Sequence, residues 1–445
     1  MTSINFSYVK ASPSFVGVFN APEADVMDPA HLTATQASRL IQSGKLKPAD
    51  LLEACLARIS ERERDVRAFA FIDPGQARAA KPVPGPLHGL PIGVKDVFDT
   101  AEMPTEHGSP IWKGWRPRAD AAAVSLARSA GAIIIGKTVT AEFAIRTPGP
   151  TVHPQTLKHT PGGSSSGSAA GVADRFFPLA YGTQAMGSLI KPAAYCGVVG
   201  YKPSFGLINR GGTKLVAENV DTIGVIARSV ADCALFVGAV SGQKLGDPEL
   251  RPEHAPRIGV CRSPTWNKAL PETERLLTDV TAALARAGAI VVEHELRSDF
   301  AAALEAFPHV LNREAAHGLG WELAHARDQI SPALREQLDA GLSVTWEQYS
   351  RAATTLAQLR HRFPETLGDL DILITPAATG EAPEGLASTG DSSFNSLWTA
   401  LHVPCVTVPA GEGPQGLPLG IQIVARRGDD HAALKWAQWV ASALT

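Results

Sequence analysis

A serine and a lysine in separate parts of the chain are the residues best suited to chemistry. Ser188 lies at the end of the loop Gly182–Ser188, which follows the apolar run Phe177–Tyr181. If that run is a strand, the loop lies at a strand terminus, where α/β sheets tend to bind ligands. A serine hydroxyl becomes a nucleophile only when a base accepts its proton. The sequence therefore indicates nucleophilic catalysis if a base lies within reach of Ser188.

Lys95 is the candidate base, because none of the 13 histidines occupies a recognisable catalytic setting. It ends the largely apolar run Gly89–Lys95. An ammonium drawn into apolar surroundings loses hydration, and its pKa falls from about 10.4 toward neutrality. A neutral lysine is a competent base. A lysine at a strand end is also often a solvated cap, so both interpretations stay open on this residue alone.

Two motif matches indicate other chemistry. The segment Gly131–Thr138 fits the Walker A pattern of phosphate-binding loops, but Ala132–Ile135 favours a buried strand over a flexible loop. The segment Gly163–Gly167 fits the G-x-S-x-G nucleophile elbow, with Ser165 as its serine. That elbow must follow a strand, whereas residues 154–161 are polar and bracketed by prolines. Both matches are therefore disfavoured.

Strand and helix patterns alternate along the chain around these residues. This alternation predicts an α/β fold. Thr33 and Gln36 form a capping box at the start of one helix, and Pro48 opens the next. The interval 299–364 is mostly helical in pattern. Apolar runs predict strands at Leu90–Val94, Ala132–Ile135, Phe177–Tyr181, Ile258–Cys261, Ile290–Val292, Ile372–Thr375 and Cys405–Val408.

Composition limits the kind of partner. The 445 residues carry a formal net charge of −3, which gives no electrostatic footprint for nucleic acid or an anionic membrane. The 5 cysteines are scattered singly, so neither a disulfide framework nor a zinc site is suggested. We find no signal-peptide pattern and no run of about 18 apolar residues. These features predict a cytoplasmic protein that acts on a small molecule.

Six segments together resemble the amidase signature hydrolases, and the resemblance covers nearly all of the chain. It implies an α/β fold in which a single large domain has a central mixed β-sheet covered by helices on both faces. Residues 1–75 would form an N-terminal helical arm, and 76–445 one continuous amidase signature domain. The segments are Gly85–Asp96, Pro161–Ala170, Gly182–Ser188, Pro192–Pro203, Asp371–Pro376 and Leu417–Ile423.

The resemblance also implies a Ser–Ser–Lys triad, in which a serine after a cis peptide bond relays a proton. Matched by position, Lys95 is the base, Ser164 the bridging cis serine and Ser188 the nucleophile. No metal and no organic cofactor is implied. The backbone N–H groups implied for the oxyanion hole belong to Ala185, Met186, Gly187 and Ser188.

The chain departs from the family pattern around this loop. Met186 stands where glycine or another small residue is usual, and Gln184 where many members have aspartate. Ile190 and Lys191 occupy the two positions at one of which an arginine is expected. A charge pair that braces the loop in many relatives is therefore predicted to be absent. Because the triad residues are all present, we interpret these departures as altered specificity rather than lost activity.

The predicted function is hydrolysis of the C–N bond of a neutral small amide or carbamate, of the aryl amide or urethane type, through an acyl-enzyme. Two alternatives remain: the glutaminase subunit of a tRNA-dependent amidotransferase, and a non-catalytic binding relative. Whether the protein is a monomer or a homodimer is also left open. Five aromatic and apolar residues are considered for an apolar pocket, although core packing is the favoured role for each: Trp321, Trp346, Phe394, Leu397 and Trp398.

Overall fold

The computed structural model describes residues 28–445, and their strands form one 11-stranded mixed sheet. The strands are β1 (Phe69–Ile72), β2 (Pro91–Lys95), β3 (Ile133–Thr138), β4 (Leu179–Gln184), β5 (Val199–Lys202), β6 (Thr222–Ala227), β7 (Arg257–Val260), β8 (Ile290–Glu293), β9 (Ile372–Pro376), β10 (Cys405–Glu412) and β11 (Pro418–Val424). Their order in the sheet is β1-β3-β2-β4-β6-β5-β10-β11-β9-β7-β8.

Fourteen α-helices of the described residues accompany this sheet, and the predicted single large α/β domain is confirmed. The helices are α1 (Ala34–Gln42), α2 (Pro48–Val66), α3 (Pro74–Ala79), α4 (Ala122–Ser129), α5 (Ser166–Ala173), α6 (Ile190–Tyr195), α7 (Val230–Ser241), α8 (Pro271–Arg286), α9 (Ala301–Gly318), α10 (Gly320–His325), α11 (Pro332–Ser343), α12 (Trp346–Leu367), α13 (Ser393–Ala400) and α14 (Asp430–Leu444).

The helix starts follow the capping signals in the sequence. The Thr33 hydroxyl accepts a hydrogen bond from the Gln36 N–H, and the Gln36 side chain accepts one from the Thr33 N–H. Pro48 is the first residue of α2, where its missing N–H removes no helical bond. Helices α9 to α12 fill most of the interval predicted to be helical.

Apolar runs alone did not predict β1, β5, β6 and β11. Strands β5 and β6 each contain a glycine, Gly200 and Gly224, which interrupts the apolar pattern. A Cβ at Gly224 would lie 2.4 Å from the Tyr201 carbonyl oxygen, so the close approach of the two strands requires glycine there. The glycines that interrupt the apolar pattern of these strands are thus also residues that their packing uses.

Parallel pairing brings the candidate residues to one edge of the sheet. Strand β2 lies between β3 and β4 and is parallel to both. Lys95 is the last residue of β2, and β4 ends at Gln184, shortly before Ser188. Because parallel strands end at the same edge, Lys95 and the loop after β4 lie on one side of the sheet.

The Walker A match is a buried strand, as the apolar pattern favoured. All six residues of β3 are buried. The Lys137 ammonium lies 3.0 Å from Asp96 and donates to the Thr105 hydroxyl at 2.6 Å. A lysine so enclosed has internal partners and cannot reach a phosphate outside.

The described part of the predicted arm, residues 28–75, packs on the sheet. Strand β1 pairs with β3, and Arg58 and Arg62 of α2 both form ion pairs with Asp174. Residues 1–27 of the predicted arm lie outside the described residues. The boundary between an arm 1–75 and a domain 76–445 stays a prediction.

Candidate active site

The Lys95 side chain is buried and contacts two hydroxyls. Its Nζ donates to Ser164 Oγ at 2.7 Å and to Thr183 Oγ1 at 2.8 Å. Thr183 lies on β4, the strand beside β2, so the sheet itself sets this contact. A hydroxyl can donate as well as accept. Ser164 is therefore placed to pass a proton to the lone pair of a neutral Lys95.

Burial controls the proton affinity of this lysine. It lowers the pKa of Lys95 to about 7, and the negative charge of Asp221 opposes that shift. Asp221 is itself fully buried, burial raises its pKa, and its Oδ2 accepts from the Val216 N–H at 2.7 Å. Because burial removes water from the ammonium and disfavours the charged form, a large fraction of Lys95 is neutral near pH 7.

The segment before Ser164 is built from glycines that have no room for a side chain. Gly162 has a φ of +81°, and a Cβ there would lie 2.8 Å from the Cα of Pro192. A Cβ on Gly163 would lie 2.7 Å from Thr389 Cγ2. The Gly163–Ser164 peptide bond is cis. Helix α5 begins directly after this segment, so the glycine-rich run is a tightly packed part of the site rather than a linker.

Ser188 lies beyond the end of β4, partly exposed, at the wall of a cavity. Its carbonyl oxygen accepts from the Ser165 N–H at 3.2 Å, which ties the loop to the segment that contains Ser164. The structure thus joins Lys95 and Ser164 directly, and a backbone hydrogen bond links Ser188 to Ser165, the residue that follows Ser164. Within the described residues, no hydrogen bond links the side chains of Ser164 and Ser188.

The cavity beside Ser188 has a volume of about 590 Å³. Its apolar lining comes from Ala144, Ile145, Ala185, Met186, Val216, Phe307, Pro308, Leu311, Ala333 and Ala387. Charged and amide groups are contributed by Arg146, Lys191, Asn312, Gln337 and Asp391. The cavity is therefore mixed in character, with room for a small organic molecule.

The residues considered for an apolar pocket lie elsewhere. Trp321 and Trp346 are 53% and 68% exposed, and neither lines the cavity. Phe394, Leu397 and Trp398 are buried in the core. Core packing, the role that the sequence favoured, describes Phe394, Leu397 and Trp398, but not the exposed Trp321 and Trp346. The helical segment contributes Phe307 and Leu311 of α9 to the cavity instead.

The loop assigned to the oxyanion hole divides between the cavity and α13. Ala185, Met186 and Ser188 line the cavity. Gly187 is buried against α13, where a Cβ would lie 2.4 Å from Asn395 Oδ1. Met186 is 38% exposed and is not among the residues with positive φ, so the loop does not force this methionine into a left-handed conformation.

Uncharged hydrogen bonds hold the loop at the position where relatives carry a charge pair. Gln184 is buried, and its Oε1 accepts from the backbone N–H groups of Leu189 and Ile190, each at 3.0 Å. Its Nε2 donates to Thr399 Oγ1 at 2.9 Å. The hydrogen bonds of Gln184 therefore hold the loop in place of a charge pair.

Lys191 is also buried, and unlike Lys95 it lines the cavity. Its Nζ donates to the Gly390 carbonyl at 2.7 Å and to Ser392 Oγ at 3.1 Å. Burial lowers the pKa of Lys191 to about 7, opposed by the charge of Asp391. Lys191 thus holds the segment 390–392, which lines the cavity, by two hydrogen bonds.

The nucleophile-elbow match has no structural counterpart. No strand lies within residues 139–165, and Ser165 is fully buried at the start of α5. Its Oγ lies 3.4 Å from the Thr183 carbonyl oxygen, away from the cavity. Ser165 is therefore a structural residue.

Sequence reasoning missed Thr183 and Asp221. Thr183 lies inside a segment that resembles the family, so its place next to the predicted end of a strand was a usable signal. Asp221 gave no such signal, because only the folded chain brings its charge near Lys95. Among residues 28–445, no cluster of three or more His, Cys, Asp or Glu side chains forms a metal site, and no helix is long and apolar enough to cross a membrane.

Comparison with known proteins identifies the family. The Amidase family model matches residues 50–434. The A subunit of the glutamyl-tRNA(Gln) amidotransferase from Desulforapulum autotrophicum is 31% identical over 474 residues, which span 92% of this chain and 96% of that protein. The chain belongs to the amidase signature family.

Solved structures agree with this assignment. The native peptide amidase of Stenotrophomonas maltophilia superposes with a TM-score of 0.79 at 28% identity, over 93% of this chain and 97% of that one. A 6-aminohexanoate cyclic dimer hydrolase bound to its substrate gives a TM-score of 0.83 at 26% identity, over 94% and 98%. With the family, these neighbours make the chain an amide hydrolase.

Proposed function

We propose that this enzyme cleaves the C–N bond of a small neutral amide or carbamate, of the aryl amide or urethane type, through an acyl-enzyme on Ser188. The observation that carries the proposal is the contact of 2.7 Å between Lys95 Nζ and Ser164 Oγ, next to the cavity that Ser188 lines. A buried, partly neutral amine bonded to a hydroxyl is the arrangement a proton relay needs.

In the first half of the reaction, Ser188 Oγ attacks the carbonyl carbon of the substrate. Its proton passes to Ser164, whose own proton passes to Lys95. The carbonyl oxygen becomes an oxyanion, which the backbone N–H groups of residues 185–188 stabilise. Each such donor contributes roughly 3 kcal/mol in the transition state.

The second half releases both products. Lys95 returns the proton through Ser164 to the substrate nitrogen, because an amine leaves poorly unless it is protonated. The C–N bond breaks and the acyl group stays on Ser188 as an ester. Water then attacks this ester, and the same relay takes its proton. The bond between the acyl carbon and Ser188 Oγ breaks, the relay returns the proton to Oγ, and the acid is released.

The cavity supports a small substrate. Its apolar wall includes Ile145, Val216, Phe307 and Leu311, which suit an alkyl or aryl group on either side of the scissile bond. The net charge of −3 favours neither nucleic acid nor an anionic membrane as a partner. We therefore propose a cytoplasmic enzyme that acts on small molecules, either as a monomer or as a homodimer.

A glutaminase function is the second candidate. The curated relatives include amidotransferase A subunits. In addition, Arg146 and Asp391 both line the cavity, and their charges match the carboxylate and ammonium of an amino acid. Comparing ammonia release from glutamine with hydrolysis of a panel of anilides and carbamates separates the two. Preference for glutamine would favour the glutaminase function.

The test of the proposed function uses Ser188→Ala with Ser388→Ala as its matched control, since both serines line the same cavity. We expect a fluorophosphonate to add one label to the wild type, on the peptide that contains Ser188. Ser188→Ala should lose labelling and hydrolysis and stay folded, whereas Ser388→Ala should keep the label. Labelling at another serine contradicts the assignment, and a folded protein without label or turnover across the panel favours a binding relative.

A further inference from the structure

We propose that Gln184 and Thr399 form an uncharged brace that orients the Met186–Gly187 peptide for oxyanion binding. The brace is defined by these two side chains and the backbone groups they contact. The inference rests on the proposed role of residues 185–188 and adds two positioning residues, one from β4 and one from α13.

Gln184 closes the loop at its base. Its Oε1 accepts from the N–H groups of Leu189 and Ile190, so a residue just before the loop holds the two residues just after it. The chain must then reverse within residues 185–188. The remaining polar atom of the Gln184 amide, Nε2, donates to Thr399 Oγ1 at 2.9 Å.

Thr399 carries this connection to the middle of the loop. Its hydroxyl accepts from Gln184 and donates to the Met186 carbonyl oxygen at 2.7 Å. A second acceptor, the Asn395 carbonyl, lies farther from it at 3.2 Å. A hydroxyl has only one proton, so the shorter contact is the better hydrogen bond.

The direction of one peptide carbonyl fixes the direction of the next N–H. In a planar trans peptide, the C=O of Met186 and the N–H of Gly187 point in opposite directions. Thr399 draws the carbonyl toward α13, so the Gly187 N–H points away from α13. Ala185, Met186 and Ser188, the residues around this N–H, all line the cavity. The brace therefore aims a donor at the site where the oxyanion forms.

The brace contains no ionisable group. Ile190 is buried and apolar at a position where an arginine would need an anionic partner, and Gln184 supplies none. Gln184 and Ile190 thus fit each other. A carboxylate at 184 would still accept from Leu189 and Ile190, but it has no N–H to give to Thr399.

Thr399 allows a sharp test because two substitutions separate its hydroxyl from its shape. Thr399→Val keeps the volume and loses the hydroxyl, whereas Thr399→Ser keeps the hydroxyl. Thr407→Val is the matched control, since Thr407 is a buried threonine in β10 that donates to the Ile421 carbonyl at 3.0 Å outside the site. The substrate is the best anilide of the panel, and the inhibitor is a boronic acid that mimics the tetrahedral intermediate.

We expect Thr399→Val to lower kcat about 10- to 100-fold with KM changed by less than about threefold, because only the transition state carries the oxyanion. The inhibition constant of the boronic acid should rise in parallel. Thr399→Ser and Thr407→Val should stay within about threefold of the wild type. Gln184→Glu should behave like Thr399→Val if the link through Nε2 is needed.

Two results would overturn the brace: full kcat in Thr399→Val, or equal losses in Thr399→Ser and Thr399→Val. A crystal structure of Thr399→Val gives a readout that does not depend on turnover. A rotated Met186–Gly187 peptide supports the brace, and an unchanged peptide refutes it. If the wild type hydrolyses no amide of the panel, the proposed function fails, while this structural comparison still decides whether Thr399 orients the peptide.

Discussion

At the scale of single residues, the role proposed for Lys95 depends on how its surroundings change its pKa. Burial lowers its pKa to about 7, so below that pH the ammonium cannot accept a proton and above it the neutral amine can. We expect kcat/KM to rise with pH through a transition near this pKa. Lys95→Ala should abolish the rise and lower kcat/KM by about 10²- to 10⁴-fold. Rates measured from about pH 5 to 9 on one anilide check this.

Lys191 is the necessary control for that experiment, since burial lowers its pKa to about 7 as well. Lys191→Met removes the second titrating group and keeps a long side chain in its place. The rising limb should persist in this variant. A limb that survives in Lys95→Ala, or disappears in Lys191→Met, would mean that Lys95 is not the base.

Met186 carries the prediction on specificity. Its side chain is partly exposed at the cavity wall, at a position where many relatives have a small residue, so we expect it to narrow the space for the acyl group. Met186→Gly should keep labelling of Ser188 and shift selectivity toward bulkier acyl groups, by about 1–3 kcal/mol per methylene-sized change in fit. The measurement is the ratio of kcat/KM for a short and a branched acyl anilide. An unchanged ratio would show that Met186 does not limit the acyl group.

Several features of the site could be predicted from the sequence, and others could not. The positions of Lys95, Ser164 and Ser188 follow from segments with a characteristic order of residues. Thr399 could not be found in this way, because it lies 215 positions from Gln184 and only the packing of α13 on the loop joins them. Hydrogen bonds between distant segments leave no periodic pattern in the chain.

At the scale of elements, α13 and the loop after β4 act as one packed unit. The ideal Cβ at Gly187 would lie 2.4 Å from Asn395 Oδ1 and 2.9 Å from Ser392 Oγ, so Gly187→Ala must displace either these side chains or the loop, and we expect the loop to move. We expect a loss of about 10²-fold or more in kcat, because the oxyanion donors move with the loop. Circular dichroism should show an unchanged fold.

The control for this substitution is Gly320→Ala at the start of α10. No atom lies within 4 Å of its ideal Cβ, so the added methyl group meets open space. Its kcat should equal that of the wild type. Full activity in Gly187→Ala would instead mean that the loop tolerates displacement, and the packing of α13 would not matter for catalysis.

The predictability of an element depends on whether its signal is local. Capping at Thr33 and the proline at the start of α2 involve neighbours in sequence, and both helices begin where those residues indicate. Gly224 of β6 allows close approach to the backbone of β5, and Gly200 of β5 leaves room for Ala193 of α6. A search for apolar runs detects neither contact. Local rules thus predicted helix starts better than strands in the middle of the sheet.

At the scale of the whole molecule, the N-terminal helices are held to the sheet domain by contacts far apart in sequence. Asp174 follows α5 and is almost buried, and it accepts from Arg58 at 2.5 Å and from Arg62 at 3.1 Å. Both arginines belong to α2, whose apolar face packs into the common core. We infer that this cluster helps α2 and the sheet to unfold together.

Asp174→Asn tests how much this cluster contributes to the stability of the fold. The substitution keeps the size of the side chain but removes the charge that both arginines share. Since the arginines are partly exposed, we expect the free energy of unfolding to be about 1–3 kcal/mol lower than in the wild type. The unfolding transition should stay single and cooperative. Glu347→Gln is the control, because its pair with Arg351 is exposed and should contribute less than about 1 kcal/mol. Urea unfolding measures both, and equal midpoints for the two variants would mean that Asp174 does not hold α2 to the sheet.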